Sequence, residues 1–240
     1  IVLNAMVENK FITKEEMDNA FNEKLEVYGY IENNNLKTIR YFQDAVMDEL
    51  DTLDLPSSFI ETGGLKIYTT LDINAQKILE ESINNNITNN DIELASIMQD
   101  PNTGEVLALT GGKDYSKSQY NRALYAKRQV GSTLKPFLYY VALENGFTES
   151  TTFTSEATTF VFANDQTYSP NNYNNKYGNK DISMATAIAY SENIYAVKTH
   201  LFLGEETLVE MLKRVGITSP LEAIPSLALG SEEITLKDMV

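Results

Sequence analysis

Two short apolar runs joined by a tight turn constrain the fold of this chain most. Residues 93–99 and 105–110 are rich in apolar side chains, and Asp100-Pro101-Asn102-Thr103-Gly104 between them has the composition of a turn. The pattern predicts a β-hairpin that Gly111-Gly112 ends. Helical patterns stand on both sides of this hairpin, so the chain is expected to have an α+β fold.

The first 53 residues are predicted to be mostly helical. Residues 1–28 predict a helix, a turn and a helix, and Thr13 and Glu16 have the spacing of a capping box at the second helix. Residues 29–36 are predicted to be a linker. Residues 37–53 return to helical periodicity, which Pro56-Ser57-Ser58 interrupts.

Local patterns also define the segment before the hairpin and the first helix after it. Residues 65–70 (LKIYTT) are rich in β-forming side chains and predict a strand. Asp72 is a candidate N-cap for a helix over residues 73–85. A further helical pattern runs from Ser132 to Asn145, with Gly146 as its C-cap. We expect the hairpin to lie beside this helix.

The last third of the chain is expected to be helical after a long surface segment. Residues 153–180 are rich in Thr, Asn and Tyr and predict a surface excursion with short strands. Residues 182–203 are apolar and helical, and residues 205–215 form another helical pattern that ends at Gly216.

Composition excludes several kinds of site. The chain has 19 Lys and Arg against 34 Asp and Glu, which argues against a nucleic-acid partner and against direct adsorption to anionic lipid. It has no Cys, so a thiolate nucleophile or a zinc–thiolate site is impossible. Any His-based triad or metal site would have to use His200, the single His, which is interpreted as a helix-face residue. The sequence starts at Ile1 without a Met and has no apolar run of membrane-spanning length, so we expect it to be part of a longer protein with a membrane anchor upstream.

The strongest candidate for chemistry is the pair Ser132 and Lys135. Ser132 lies where a helix is predicted to begin, close to free backbone N–H groups, and Lys135 lies on the same face one turn later. A serine beside an amine can serve as nucleophile and base without His. The four-residue spacing alone is weak, and an N-cap serine beside a solvated lysine is the ordinary alternative. However, among the serines of the chain only Ser132 has Lys three residues later.

The flanking sequence makes the assignment specific. The nucleophile segment 128–137 (RQVGSTLKPF) closely resembles that of bifunctional penicillin-binding proteins. Four further segments resemble the same family, namely 64–72 (GLKIYTTLD), 100–108 (DPNTGEVLA), 168–173 (YSPNNY) and 187–198 (AIAYSENIYAVK). Residues 1–28 resemble the tail of the glycosyltransferase module that precedes the transpeptidase domain in this family.

The resemblance implies a division of the chain and a fold. Residues 1–28 would be the tail of the glycosyltransferase module, 29–90 a linker region, and 91–240 the N-terminal part of a transpeptidase domain. That domain has the fold shared with serine β-lactamases, a helical subdomain plus an antiparallel sheet.

The family's second motif, Ser-x-Asn, has three candidates in the sequence. Ser82-Ile83-Asn84 and Ser169-Pro170-Asn171 fit the spacing, but only Ser191-Glu192-Asn193 lies between two apolar helical runs within matching flanks. By resemblance, Ser191 relays a proton between Lys135, Ser132 and the leaving amine, and Asn193 binds the substrate carbonyl and holds Lys135. Without that context, Ser191 and Asn193 would be interpreted as polar caps at a helix junction. We expect Lys135 Nζ to lie within hydrogen-bond reach of Ser132 Oγ, with Ser191 and Asn193 converging on it.

The third motif, Lys-Thr-Gly or Lys-Ser-Gly, is not in the sequence. Lys198-Thr199-His200 lacks the Gly and falls within a predicted helix, while residues 229–235 resemble the stretch shortly before that motif. The family uses the motif's lysine to depress the pKa of the catalytic lysine, and the motif's strand carries one oxyanion N–H. Lowering a lysine pKa from about 10.4 to near 7 costs roughly 4–5 kcal/mol. We therefore expect this chain by itself to be impaired.

The resemblance implies a D,D-transpeptidase of peptidoglycan synthesis. Ser132 would attack the D-Ala-D-Ala amide of a stem peptide carried by peptidoglycan or its lipid-linked precursor, with its own N–H as half of the oxyanion hole. An amine of a neighbouring stem peptide would then resolve the ester into a cross-link. β-Lactam antibiotics would acylate Ser132, and neither metal nor cofactor is needed.

The protein would act at the extracytoplasmic face of the bacterial cell membrane, and it would also carry a glycosyltransferase. Two alternatives stay open at this point. One is a non-catalytic penicillin-recognition or scaffold domain, and the other is a serine β-lactamase, against which residues 1–60 argue.

Overall fold

The fold is described from a computed structural model for residues 2–23, 36–53, 64–89 and 91–240, with the side chain of Asn164 excepted. The chain divides into two compact units, Ile1–Leu36 and Lys37–Val240. The linker predicted over 29–36 lies outside the described residues except for Leu36, and so does the break predicted at 56–58. In the described ranges no helix combines the length and apolar character needed to cross a bilayer.

The first unit consists of α1 (Val2–Glu8) and α2 (Lys14–Asn22). The predicted capping box is present at the start of α2. Thr13 Oγ1 accepts from the Glu16 amide at 3.2 Å, and the Thr13 amide donates to Glu16 Oε2 at 2.7 Å. These reciprocal bonds satisfy two of the donors that a helix start leaves free.

The described residues of the second unit form short helices and four separate two-stranded antiparallel sheets. Its helices are α3 (Ile39–Thr52), α4 (Ile73–Asn86), α5 (Arg122–Tyr125), α6 (Lys135–Glu144), α7 (Met184–Tyr190), α8 (Asn193–Leu203), α9 (Glu205–Arg214) and α10 (Leu236–Met239). Its strands are β1 (Ser96–Gln99), β2 (Val106–Thr110), β3 (Lys127–Gln129), β4 (Thr152–Ser155), β5 (Phe160–Val161), β6 (Thr167–Tyr168), β7 (Lys180–Ser183) and β8 (Glu233–Thr235). The pairs are β1 with β2, β3 with β8, β4 with β7, and β5 with β6. The predicted α+β class is confirmed, and so is the surface excursion with short strands over 153–180.

The predicted hairpin forms, but it packs on a different set of helices than expected. β1 pairs with β2 in the register Ser96↔Thr110, and Asp100 N donates to Glu105 O at 2.9 Å across the turn. Its apolar face joins a core cluster with α3 and α5, whereas α6, the helix after Ser132, belongs to another cluster. A polar side chain on α4 also binds the hairpin. Gln76 donates to Leu109 O at 3.0 Å and accepts from Leu109 N at 2.9 Å, so its amide fills the free edge of β2.

The strand predicted over residues 65–70 is wrong. The segment belongs to none of the sheets formed by the described residues, and Tyr68 is 90% exposed. Its tie to β2 is made by Thr70 Oγ1, which donates to Val106 O at 2.7 Å, and by Asp72 N, which donates to Leu107 O at 2.9 Å. Asp72 then caps α4 as predicted by accepting from two amides of its first turn.

The larger core cluster lies under the second half of the chain and contains α6, α8 and α9. Leu134, Leu138, Tyr195, Leu212 and Leu227 are fully or almost fully buried in it. α8 is buried on most of its circumference, which explains why its sequence is apolar without a polar stripe. The single helix predicted over 182–203 is instead two helices, because the backbone turns at Ser191.

Candidate active site

The side chain of Lys135 forms hydrogen bonds with two of the other predicted site residues. Its Nζ donates to Asn193 Oδ1 at 2.6 Å, to Ser191 O at 2.7 Å and to Ser191 Oγ at 3.2 Å. Lys135 is the first residue of α6, while Ser191 and Asn193 flank the junction of α7 and α8. The Ser-x-Asn candidate chosen from context is therefore the one that meets the lysine.

The backbone conformation of Ser191, at the junction of α7 and α8, directs its polar groups toward Lys135. Ser191 has the left-handed conformation, with φ 52° and ψ 46°, and its amide donates back to Ile188 O at 3.1 Å. A non-glycine residue in this conformation costs roughly 1–2 kcal/mol. The turn ends α7 and presents both the carbonyl and the hydroxyl of Ser191 to one ammonium group, and such strain is typical of functional sites.

Ser132 stands at the start of the same helix but is not bonded to the lysine. It lies in a 3₁₀ turn, Gly131–Leu134, and is solvent-exposed. No hydrogen bond joins Ser132 Oγ to Lys135 Nζ in the part of the chain that the structure describes, so this expected contact is not made. The three protons of the Lys135 ammonium are directed to Ser191 and Asn193 instead.

Burial makes Lys135 an unusual lysine. It is 4% exposed, and this desolvation lowers the pKa of Lys135 to about 8, while the carboxylate of Glu192 acts in the opposite direction. Removal from water disfavours the charged amine. Packing within this chain thus supplies part of the pKa depression that the family resemblance attributes to a further lysine.

Residues 230–235 contact the turn that carries Ser132 and the strand that precedes it. β3 leads into it and pairs with β8, in the register Arg128↔Ile234. Gly131 N donates to Gly230 O at 3.0 Å, and a Cβ on Gly230 would lie 2.1 Å from Gly131 O. Only a glycine fits at position 230, and its close approach fixes Gly131, the residue before Ser132.

Sequence reasoning missed the residues that hold Asn193. Asn193 Nδ2 donates to Asn171 O at 2.7 Å, and Asn193 N donates to Asn172 Oδ1 at 2.8 Å. Both partners lie in the predicted surface excursion, yet Asn172 is 8% exposed. The resemblance over residues 168–173 is the signal that could have found them.

The other polar candidates lie away from this cluster. Lys198, Thr199 and His200 are on α8, as predicted, and Lys198 Nζ donates to Thr154 O at 2.8 Å. His200 is fully buried, and its Nε2 lies 3.1 Å from Ile224 O. Burial lowers the pKa of His200, which suits a neutral structural residue. Among the described residues no group of three or more His, Cys, Asp or Glu could hold a metal ion.

The family model of the penicillin binding protein transpeptidase domain matches residues 94–223, which is more than half of the chain. The chain belongs to the penicillin-binding protein transpeptidase family. The matched span includes both motifs that meet at Lys135, and it begins close to the hairpin.

Curated relatives are penicillin-binding proteins from several bacteria. Penicillin-binding protein 2D of Bacillus subtilis is 44% identical over 100% of this chain, which spans 35% of that relative. Penicillin-binding protein 1B of Vibrio cholerae is 29% identical over 98% of this chain and 31% of the relative. The chain thus spans about a third of the length of these relatives.

Solved structures show the same fold. Penicillin-binding protein 1A of Haemophilus influenzae superposes with a TM-score of 0.66 at 19% identity, covering 99% of this chain and 50% of that one. PonA1 of Mycobacterium tuberculosis gives a TM-score of 0.69 at 21% identity, covering 83% and 54%. At this level of identity the likeness speaks for the fold, and the predicted transpeptidase fold is confirmed.

Proposed function

We propose that this chain carries the nucleophile and base of a peptidoglycan D,D-transpeptidase that works through a serine acyl-enzyme. The observation that carries the proposal is the placement of one buried amine, Lys135 Nζ, at the start of the helix of Ser132 and in contact with both Ser191 and Asn193. An amine held by two polar side chains beside an exposed serine has the parts of a nucleophile–base pair.

The proton steps follow from the contacts. With a pKa of about 8, Lys135 is neutral in about a tenth of the molecules at pH 7. A neutral amine has two protons and a lone pair, so Ser191 Oγ can reverse its role and donate to Lys135 Nζ. The Ser132 hydroxyl gives up its proton to Lys135, directly or through Ser191, once its side chain turns toward the amine. Catalytic hydrogen bonds that are long in a free enzyme often tighten only with substrate.

The bond changes are those of acyl transfer. Ser132 Oγ attacks the carbonyl carbon between the two D-Ala residues of a donor stem peptide, and the N–H of Ser132 supplies one donor to the developing oxyanion. The amide C–N bond breaks, and the terminal D-Ala leaves as its amine after it receives the proton from Ser191. An amine of a second stem peptide then attacks the ester, which forms the cross-link and returns the proton to Ser132. A β-lactam acylates Ser132 in place of the donor peptide.

The same proposal covers the longer protein. Residues 1–28 are the tail of a glycosyltransferase module, 29–90 a linker region and 91–240 part of the transpeptidase domain. The protein acts at the extracytoplasmic face of the bacterial membrane on stem peptides and their lipid-linked precursor. Since residues 1–240 contain no Lys-Thr-Gly or Lys-Ser-Gly, we propose that these residues alone react slowly with penicillin.

The test is labelling of the full-length protein with a fluorescent penicillin. Wild type is expected to form a covalent adduct that survives denaturation, and Ser132→Ala is expected to form none. Ser150→Ala, at an exposed serine outside the site, is the matched control and should label as wild type does. Labelling that persists in Ser132→Ala contradicts the nucleophile assignment.

The same assay separates the alternatives. A scaffold domain would bind penicillin without a Ser132-dependent adduct, and a β-lactamase would hydrolyse penicillin in many rapid turnovers instead of holding the adduct.

A further inference from the structure

Glu192 is a buried carboxylate in the middle of the second motif. It is 7% exposed, and neither of the two ion pairs found among the described residues involves it. A buried carboxylate without a salt bridge is costly unless hydrogen bonds satisfy its oxygens. Those bonds are present: Oε1 accepts from Ser155 Oγ at 2.5 Å and from Asn172 Nδ2 at 2.6 Å, and Oε2 accepts from Tyr195 N at 2.5 Å.

The three donors come from three different parts of the fold. Ser155 ends β4, Tyr195 is in the first turn of α8, and Asn172 lies in the loop before β7. Glu192 is therefore the N-cap of α8 and at the same time the point to which a strand and a loop are tied. Charged acceptors make the stronger hydrogen bonds, so this arrangement holds the junction more firmly than a neutral cap would.

Asn172 connects the carboxylate of Glu192 to Asn193. Its Nδ2 is held by Glu192, and its Oδ1 accepts from Asn193 N at 2.8 Å and from Ile194 N at 3.3 Å. Asn193 Nδ2 in turn donates to Asn171 O at 2.7 Å, which leaves its Oδ1 facing Lys135 at 2.6 Å. A continuous chain of contacts thus runs from Glu192 through Asn172 and Asn193 to the amine.

We propose that Glu192 is a positioning residue for acyl transfer: its carboxylate locks Asn172 onto the start of α8, and its charge holds Lys135 against Ser191 and Asn193. This inference rests on the proposed function, since it assigns to Glu192 the placement of the catalytic base. Among the described residues the hydrogen bonds of the Glu192 carboxylate go to Ser155, Asn172 and Tyr195, and none goes to Ser132.

The charges around Glu192 support an effect on Lys135. Lys135 on α6 is the cation that the carboxylate influences, and this influence is the reason why burial does not lower the pKa of Lys135 further. Burial raises the pKa of Tyr139 on the same helix, and Tyr195 and Glu192 add to this rise. On elements packed against this junction, Lys198 Nζ donates to Thr154 O, and Asp181 Oδ1 accepts from Thr154 Oγ1.

The chain offers a closely matched control. Glu80 is also 7% exposed, and its carboxylate also accepts three hydrogen bonds, from Lys37 N, Thr38 N and Thr38 Oγ1. It lies on α4 beside α3, away from Lys135. Glu192→Gln and Glu80→Gln therefore remove the same charge from the same kind of site. They differ in that only Glu192 acts on Lys135.

The experiment uses the full-length protein with ¹³C-labelled lysine, in which Lys135→Arg identifies the Lys135 signal. Glu192→Gln is expected to shift the Lys135 titration to lower pH, because the stabilising charge is gone, while Glu80→Gln leaves it unchanged. The acidic limb of the pH profile for penicillin acylation is expected to move in the same direction. The plateau rate is expected to fall about tenfold, since the amide acceptor in place of the carboxylate loosens Asn172.

Glu192→Asp separates charge from geometry and serves if Glu192→Gln does not fold. It keeps the charge with a shorter reach, so the Lys135 titration should stay near that of wild type while the acylation rate falls. An unchanged Lys135 titration in Glu192→Gln, or full acylation rate in Glu192→Asp, overturns the proposal. Because the titration does not depend on acylation, failure of the proposed function would show separately, as absence of a Ser132 adduct in the wild type.

Discussion

Replacing Gly230 by Ala should slow acylation at Ser132 from a position almost 100 residues away in the sequence, because Gly230 packs on Gly131. Gly230 has φ 69°, and a Cβ there would lie 2.1 Å from Gly131 O and 2.5 Å from Gly131 N. These distances are far inside van der Waals contact, and the opposing atoms are backbone, which cannot rotate away. The substitution must therefore displace Gly131, which directly precedes Ser132.

Gly230→Ala combines the cost of a left-handed alanine with the displacement of Gly131, and the control Gly146→Ala separates these two effects. An alanine in the left-handed region costs about 1–2 kcal/mol of stability. Gly146 has φ 88°, and no atom lies within 4 Å of the position that a Cβ would take there, so Gly146→Ala measures that backbone cost alone. Gly230→Ala should lose this amount and more from the free energy of unfolding. A shift of about 1 Å in a reacting group can reduce the rate by about 100-fold, which is the loss expected for acylation in Gly230→Ala.

The measurement combines urea unfolding with second-order rate constants for a fluorescent penicillin, both on the full-length protein. Gly146→Ala should acylate at the wild-type rate despite its lower stability. The reasoning is refuted if Gly230→Ala acylates within about twofold of Gly146→Ala, because the clash would then be absorbed without moving Ser132.

Buried ionisable groups give three further predictions. For residues 1–240, in which the pKa of Lys135 is about 8, the acylation rate should rise about tenfold per pH unit up to roughly pH 8 and then level off, since only the neutral amine takes the proton; a profile that is flat between pH 6 and 8 would count against Lys135 as the base. Burial depresses the pKa of His200, so the unfolded state binds a proton more readily, and stability should be complete above about pH 6.5 and fall by at most about 1.4 kcal/mol per pH unit below it. Chemical unfolding of wild type and His200→Gln between about pH 7.5 and 5.5 checks this, and an equal pH dependence in both would refute it. Tyr139 Oη is buried without a hydrogen-bond partner in the described part of the chain, so Tyr139→Phe should leave the free energy of unfolding unchanged or raise it by about 1 kcal/mol, and a clear loss would show that the hydroxyl is satisfied.

Features that depend on neighbouring residues in the sequence could be predicted. The capping box at Thr13, the N-cap at Asp72 and the turn at Asp100 each need only residues within one turn, and all three are present. The placement of Ser132 and Lys135 one turn apart at a helix start also belongs to this group, whereas the hydrogen bond expected between their side chains is not made. The choice of Ser191 over the other Ser-x-Asn candidates likewise rests on the sequence on either side of it, which is apolar and resembles the family.

Features that depend on distant contacts could not be predicted. The composition of residues 65–70 suits an extended backbone, but a ladder also needs a partner edge, and Gln76 already occupies the free edge of β2 at Leu109. The break at Ser191 arises in an apolar run whose sequence favours a continuous helix, and its carbonyl is stabilised by Lys135, 56 residues earlier. The packing of Gly230 on Gly131 likewise joins segments that no local pattern connects.

The position of the penicillin adduct shows whether Ser132 is the acylated residue. The full-length protein is reacted with penicillin, digested, and studied by tandem mass spectrometry for the modified peptide. We expect a penicilloyl ester on Ser132 and its absence in Ser132→Ala. An adduct on any other residue, or a stable complex with no covalent adduct at Ser132, would contradict it.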